Sequence, residues 1–252
     1  MALAIDSSTP APDNVTRSTA AITTTNTFSP PAGSVIFLFI SGTGPSPAAT
    51  QTVTGVSDNL GVHLGWALFT GSRDNVQSGI LLGGNTEVWW AACPSAQSNM
   101  TVTVTFNSAN SSSSSNPAGM IQPIVFTGAA TTQNGNASIR NSTASATPSQ
   151  TLVTSAANSW VFGIVQNFTN GTGPTAGASQ TNTIDGTSSI VLNASDGDAF
   201  WVQTTNSTTS SSGTTVTLND TAPTTIAHHF SMVEVLAAST GGMIPLQWIA
   251  GG

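Results

Sequence analysis

Lysine and tyrosine are absent from this chain of 252 residues, and its only basic residues besides three histidines are Arg17, Arg73 and Arg140. Charged residues make up 5% of the chain, against roughly 25% in an ordinary soluble domain. With ten Asp and Glu, the formal net charge is -7. A surface so poor in cations cannot neutralise a run of phosphates, which argues against nucleic acid as a partner. The same shortage argues against an anionic membrane surface. Solubility must rest on Ser, Thr, Asn, Gln and Gly. That style fits a protein working outside cells in a repetitive array.

Cysteine is nearly absent too. Cys93 is the only one, so no intrachain disulfide can form. It follows Trp89-Trp90-Ala91-Ala92 and reads as a small buried hydrophobe. No apolar run approaches the roughly 18 residues of a membrane span; the longest, Val35–Ile40, is strand-sized. The opening "MALAIDSSTPAP" has neither the basic start nor the apolar run of a signal peptide. Manufacture in a host cytoplasm and release by lysis is the expected route outward. Sequons such as Asn14-Val15-Thr16 and Asn167-Phe168-Thr169 are what chance gives in a chain rich in Asn, Ser and Thr.

Helical periodicity is also missing, while strand signals recur. Short runs of Val, Ile, Thr, Phe and Trp alternate with Gly, Pro, Asn, Asp and Ser. "MTVTVTF" (Met100–Phe106) and "TTVTL" (Thr214–Leu218) alternate strictly and predict half-buried strands with threonine outward. "SVIFLFI" (Ser34–Ile40) has no polar alternation and predicts a central strand buried on both faces. Val62–Phe69 is also read as a strand. The halves echo each other: "GSVIFLFI" (33–40) and "NSWVFGIV" (158–165), "TVTVTFN" (101–107) and "TTVTLND" (214–220), "PIVFTGA" (123–129) and "MVEVLAA" (232–238). The expected fold is an all-β antiparallel sandwich, jelly-roll-like, with two weakly similar halves and extended termini. Residues 1–18 form an N-terminal arm and 19–238 the sandwich, with pseudo-repeats near 19–130 and 150–238. Two sandwiches are the alternative to one. Residues 239–252 form an apolar tail, "TGGMIPLQWIAGG" with its preceding threonine, in which Met243, Ile244, Leu246, Trp248 and Ile249 are the docking candidates. In the arm, Leu3 and Ile5 are the matching candidates.

Chemistry is sparse. Only two glutamates occur, Glu87 and Glu234. Glu87 is expected at a sandwich edge. Glu234, on a strand face with Met232, is expected to be paired with Arg73, Arg140 or a histidine. Adjacent strand residues point to opposite faces, so His228 and His229 cannot chelate one ion. Asp196 and Asp198 flank Gly197 in "NASDGDAF", a turn signal that lacks the remaining positions of an EF-hand calcium loop; a surface calcium supported by Asp185 or Asp220 is the alternative to a plain turn. No nucleophile elbow, phosphate loop or zinc spacing is present. The expectation is therefore no catalytic residue, no metal site and no cofactor. Trp89, Trp90 and Trp201 are the candidate glycan contacts, since one member of each aromatic pair on a strand should face outward.

"FSPPAGSVIFLFI" (28–40), "VTGVSDNLG" (53–61), "WVFGIVQN" (160–167) and "MVEVLAA" (232–238), together with the opening residues, resemble β-sandwich structural proteins of tailed bacteriophages that infect actinobacteria. The resemblance carries no catalytic motif. It implies a virion surface protein, a capsid decoration or a tail or fibre component. Its partners would be major capsid or other virion proteins and further copies of itself in an array. The alternative is a carbohydrate-binding or host-recognition module of a tail or surface protein.

Overall fold

The computed structural model describes residues 1–44, 50–75, 84–110 and 117–239. No helix occurs among the described residues. The first half contains β1 (Ala4–Ile5), β2 (Asp13–Asn14), β3 (Ala21–Thr23), β4 (Ser34–Thr43), β5 (Val53–Asp58), β6 (Ala67–Leu68), β7 (Gly84–Cys93), β8 (Val102–Phe106) and β9 (Gly119–Thr127). The second contains β10 (Ala137–Ala146), β11 (Ser149–Val153), β12 (Trp160–Asn167), β13 (Thr175–Ala176), β14 (Gln180–Thr181), β15 (Thr183–Ile184), β16 (Thr187–Ser188), β17 (Ile190–Asn193), β18 (Asp198–Thr205), β19 (Thr215–Ala222) and β20 (Ile226–Val235).

The expected all-β sandwich is present, and it is doubled. The first half builds an inner sheet, β1-β9-β4-β7-β6, and an outer sheet, β3-β8-β5. The second builds an inner sheet, β10-β20-β12-β18-β14, and an outer sheet, β11-β19-β13. No sheet is shared. The pairings match strand for strand: β4 lies between β9 and β7 as β12 lies between β20 and β18, and β8 lies between β3 and β5 as β19 lies between β11 and β13. The pairing nests in the jelly-roll manner. β2 pairs with β9, β3 with β8 and β4 with β7. All three sequence echoes fall on equivalent strands, β4 with β12, β8 with β19 and β9 with β20.

Stacking the two inner sheets face to face gives four layers and three cores. Every residue of β4 is buried, because its two faces serve different cores. Val35, Phe37 and Phe39 enter the central seam between halves, while Ile36, Leu38 and Ile40 enter the first outer core. β12 does the same, with Phe162 and Ile164 in the seam and Val161 and Val165 in the second outer core. Phe162 is the second half's main aromatic contribution to the seam. Its ring lies 5.1 Å from Phe126, edge to face, and 6.0 Å from Phe39. The outer strands alternate as expected: Val102 and Val104 face inward, as do Val216 and Leu218.

Toward one end the seam becomes polar. Thr86 and Ser231 join hydroxyls at 2.7 Å, and Ser41 donates to Gln166 Oε1 at 3.0 Å. His229 Nδ1 lies 3.0 Å from Asp74 Oδ2. The hydrogen bonds of Thr86 with Ser231 and of Ser41 with Gln166 satisfy groups that the apolar part of the seam could not hold.

Two expectations are corrected. Residues 62–66 are not strand, and only Ala67–Leu68 pairs, because the Asp58 carboxylate described below folds this segment into turns. The N-terminal arm is extended but not free. β1 and β2 pair with β9 and cover an edge that would otherwise expose unpaired amides.

Gly163, in the middle of β12, shows how tightly the second outer core is filled. A Cβ there would stand 2.5 Å from Phe230 Cε2 and 3.2 Å from Leu218 Cδ1 and Met232 Cγ. All three neighbours are fully buried. Gly163→Ala is expected to destabilise the fold by about 1–3 kcal/mol, measured by urea denaturation; an unchanged midpoint would show that the layer has slack.

Candidate attachment surface

The strand registers bring both ends of the described chain to one end of the block. Ala4 pairs with Thr127, and Trp160 pairs with Val235. The linker between halves is there too: Ala129 bridges Ala237, Ala130 N donates to the Leu236 carbonyl and Ala238 N to the Gly128 carbonyl. Met1, Leu3, Ala157, Asn158, Thr208 and Ser239 line a cleft of about 640 Å³ between these segments. The tail candidates Met243, Ile244, Leu246, Trp248 and Ile249 lie outside the described residues, and the last described residue, Ser239, stands on the rim of this cleft.

Leu3, an interface candidate from sequence, is turned into the chain's own core instead. Leu3 is buried in the seam core and Ile5 packs against it. Leu3, Ile5 and Val15 of the arm pack against the chain's own cores, while Met1 is exposed.

A second cleft, of about 710 Å³, opens at the same end around residues 60–65, with Pro94, Gln97 and Thr131 opposite. Its loop is built around one carboxylate. Asp58 Oδ1 accepts from Leu60 N at 3.2 Å and lies 2.9 Å from His63 Nδ1. Oδ2 accepts from Leu64 N at 3.0 Å and Trp66 Nε1 at 2.9 Å. Burial works against ionisation of Asp58, but these donors outweigh it and hold the carboxyl below its usual range. The turns they enforce push Val62 out, 87% exposed, and leave most of the His63 ring in solvent. Asp-Asn-Leu-Gly is legible as a turn, but the convergence of donors from Leu64 and Trp66 is not.

Glu87 is not at an exposed edge: it is fully buried on β7, between β4 and β6. It accepts from Val53 N, Asn85 Nδ2, Arg73 and Trp89 Nε1 at 2.8–3.2 Å. Glu234 pairs with no cation. It accepts from Asn136 N, Ser155 N and Oγ, and Ala156 N, all at 2.7–3.1 Å. The two glutamates face opposite outer cores and cannot act together. His228 and His229 point to opposite faces as expected, and burial holds His228 down at about 4. Burial pushes the Cys93 thiol up. Burial likewise raises Asp220 to about 8, and burial with the nearby charge of Asp196 raises Asp198 to about 7. Among the described residues, no three His, Cys, Asp or Glu side chains converge. No helix among them is long and apolar enough to cross a membrane.

Among the described residues, no tryptophan is fully exposed. Trp201 is fully buried in the second outer core, which corrects its candidacy as a glycan contact. Trp89 packs on the first outer core with its N–H on Glu87, and Trp90 packs on the seam. Both faces of β7 are covered because inner sheets have a layer on each side, and Trp89 and Trp90 are left half-buried. Comparison with family models, with curated proteins and with solved structures returns no match.

Asp58→Asn replaces an acceptor by a donor opposite Leu64 and Trp66. It is expected to cost about 1–3 kcal/mol at neutral pH. Because the folded carboxyl titrates below its unfolded value, its contribution is complete above about pH 4 and is lost as pH falls through the folded value. The gap between wild type and variant should therefore close in acid. Denaturation curves at neutral and acid pH check this; a gap independent of pH would contradict it.

Proposed function

We propose that this chain is a non-enzymatic structural protein of a bacteriophage virion, a decoration or accessory protein on the particle exterior. One observation carries the reading: both ends of the described chain and the linker between halves gather at one end of a doubly sandwiched block. An apolar tail follows directly from that end. A block held by one end, with Ser/Thr-rich outer sheets and few charges, suits an array of identical copies. The buried carboxylates favour scaffolding over catalysis, since Glu87 and Glu234 are consumed by internal hydrogen bonds. Its partners are major capsid or other virion proteins and neighbouring copies, and repetition makes modest single contacts collectively strong. The tail supplies the contact through the apolar anchors Met243, Ile244, Leu246, Trp248 and Ile249.

Two measurements test this together. Quantitative mass spectrometry of purified particles should find the protein in a copy number matching a lattice of sites; trace occupancy would overturn the virion role. A chain lacking 243–252 should remain soluble and folded but lose about tenfold or more in particle occupancy, as expected when the anchors of an interface are removed. Full occupancy by the truncated chain would overturn the role of the tail.

A further inference from the structure

The turn between β17 and β18 lies at the end of the block away from the termini, and it collects oxygen ligands. Asn193 and Asp198 are cross-strand partners, and both are buried. Asp196 lies in the turn between them. Its carboxylate accepts from Asn193 Nδ2 at 2.9 Å, and its backbone N–H donates to Asn193 Oδ1 at 3.3 Å. Gly197 takes φ +78°, which turns the chain sharply between the two aspartates. The Thr169 carbonyl oxygen of the adjoining loop lies 3.4 Å from where a Gly197 Cβ would stand. Asn193 Nδ2 also donates to the Pro117 carbonyl of the first half at 2.9 Å.

Asp198 is the anomaly. It is 1% exposed, and neither carboxylate oxygen has a hydrogen-bond partner. A buried carboxylate without donors is costly, and a second carboxylate beside it adds repulsion. Asp220, on strand β19, shares the orphaned oxygens, but burial alone raises it, with no second carboxylate contributing. The chain has no lysine, and no arginine donates to either oxygen of Asp198. Orphaned buried oxygens of this kind point to a bound species that completes them.

We propose that the Asn193–Asp198 turn binds a hard divalent cation of calcium's size. Asp198 and Asp196 are the anionic ligands, and the Asn193 amide oxygen and Thr169 carbonyl the neutral ones. Calcium takes about six to eight oxygens in a flexible shell and accepts carboxylate, amide, carbonyl and water together. The absence of nitrogen and sulfur ligands here disfavours zinc. Half-buried Asp196 gives the ion a way in, and Asp198 backs it. Through the Asn193–Pro117 tie, the ion stiffens the contact between halves at the distal end. This proposal is independent of the virion reading.

The test uses the full chain, stripped with EDTA and dialysed. Titration calorimetry with calcium chloride should show one saturable site, and millimolar calcium should raise the melting temperature by several degrees, with magnesium weaker. Asp198→Asn and Asp196→Asn should each abolish both effects while their melting temperatures in EDTA stay at or above that of the wild type. Asp196 is in the turn and half-buried, so its variant keeps the test valid if the Asp198 variant fails to fold. Absence of calcium binding by the wild type, or wild-type binding by either variant, would overturn the proposal.

Discussion

The structure depends on one contact, the insertion of Phe162 from the second half between Phe39 and Phe126 of the first. Each half has an inner sheet that is apolar on both faces. One face is covered by the half's own outer sheet, and the other would be left in water. Burying a phenylalanine is worth about 1.5–3 kcal/mol, and Phe37, Phe39, Phe126, Phe162 and Phe200 all lie in the seam. Neither inner sheet is a tolerable surface alone, so each completes the other.

That constraint explains where the chemistry went. Strands buried on both faces turn their polar groups inward, and each such group needs a partner. Thr86 finds Ser231, Ser41 finds Gln166, Glu87 finds Arg73 and three further donors, and Glu234 finds the amides that close the loop before β12. Carboxylates spent this way hold the block in shape. What is left for interaction lies at the ends: one end carries the termini and two clefts, the other carries the aspartate turn.

The parts of the fold legible in the sequence are those that one strand's pattern decides. "SVIFLFI" could only be a strand with two buried faces, and the Thr/Val alternation of β8 and β19 marked the outer sheets. The echo between halves was visible at three places because the equivalent strands meet equivalent cores. The doubling was harder to see, since the apolar residues shared in the seam make each half look too poor to fold by itself. β10, "ASIRNSTASA", carries too few large apolar residues to announce itself; its pairing with β20 makes it a strand. Leu3 looked like an outward anchor because its partners are more than 30 residues away. Glu234 was expected to seek a cation, but backbone amides serve as well, and no sequence pattern records which amides a loop will aim. Asp58 is the same lesson at the surface, where one carboxylate overrides the strand-like run from Val62 to Phe69.

The central claim is that two similar sandwiches form a single rigid body through their shared seam. Differential scanning calorimetry of the whole chain tests it most directly. One transition whose van't Hoff enthalpy equals its calorimetric enthalpy is the predicted result. Two resolved transitions, each carrying about half of the total enthalpy, would contradict it.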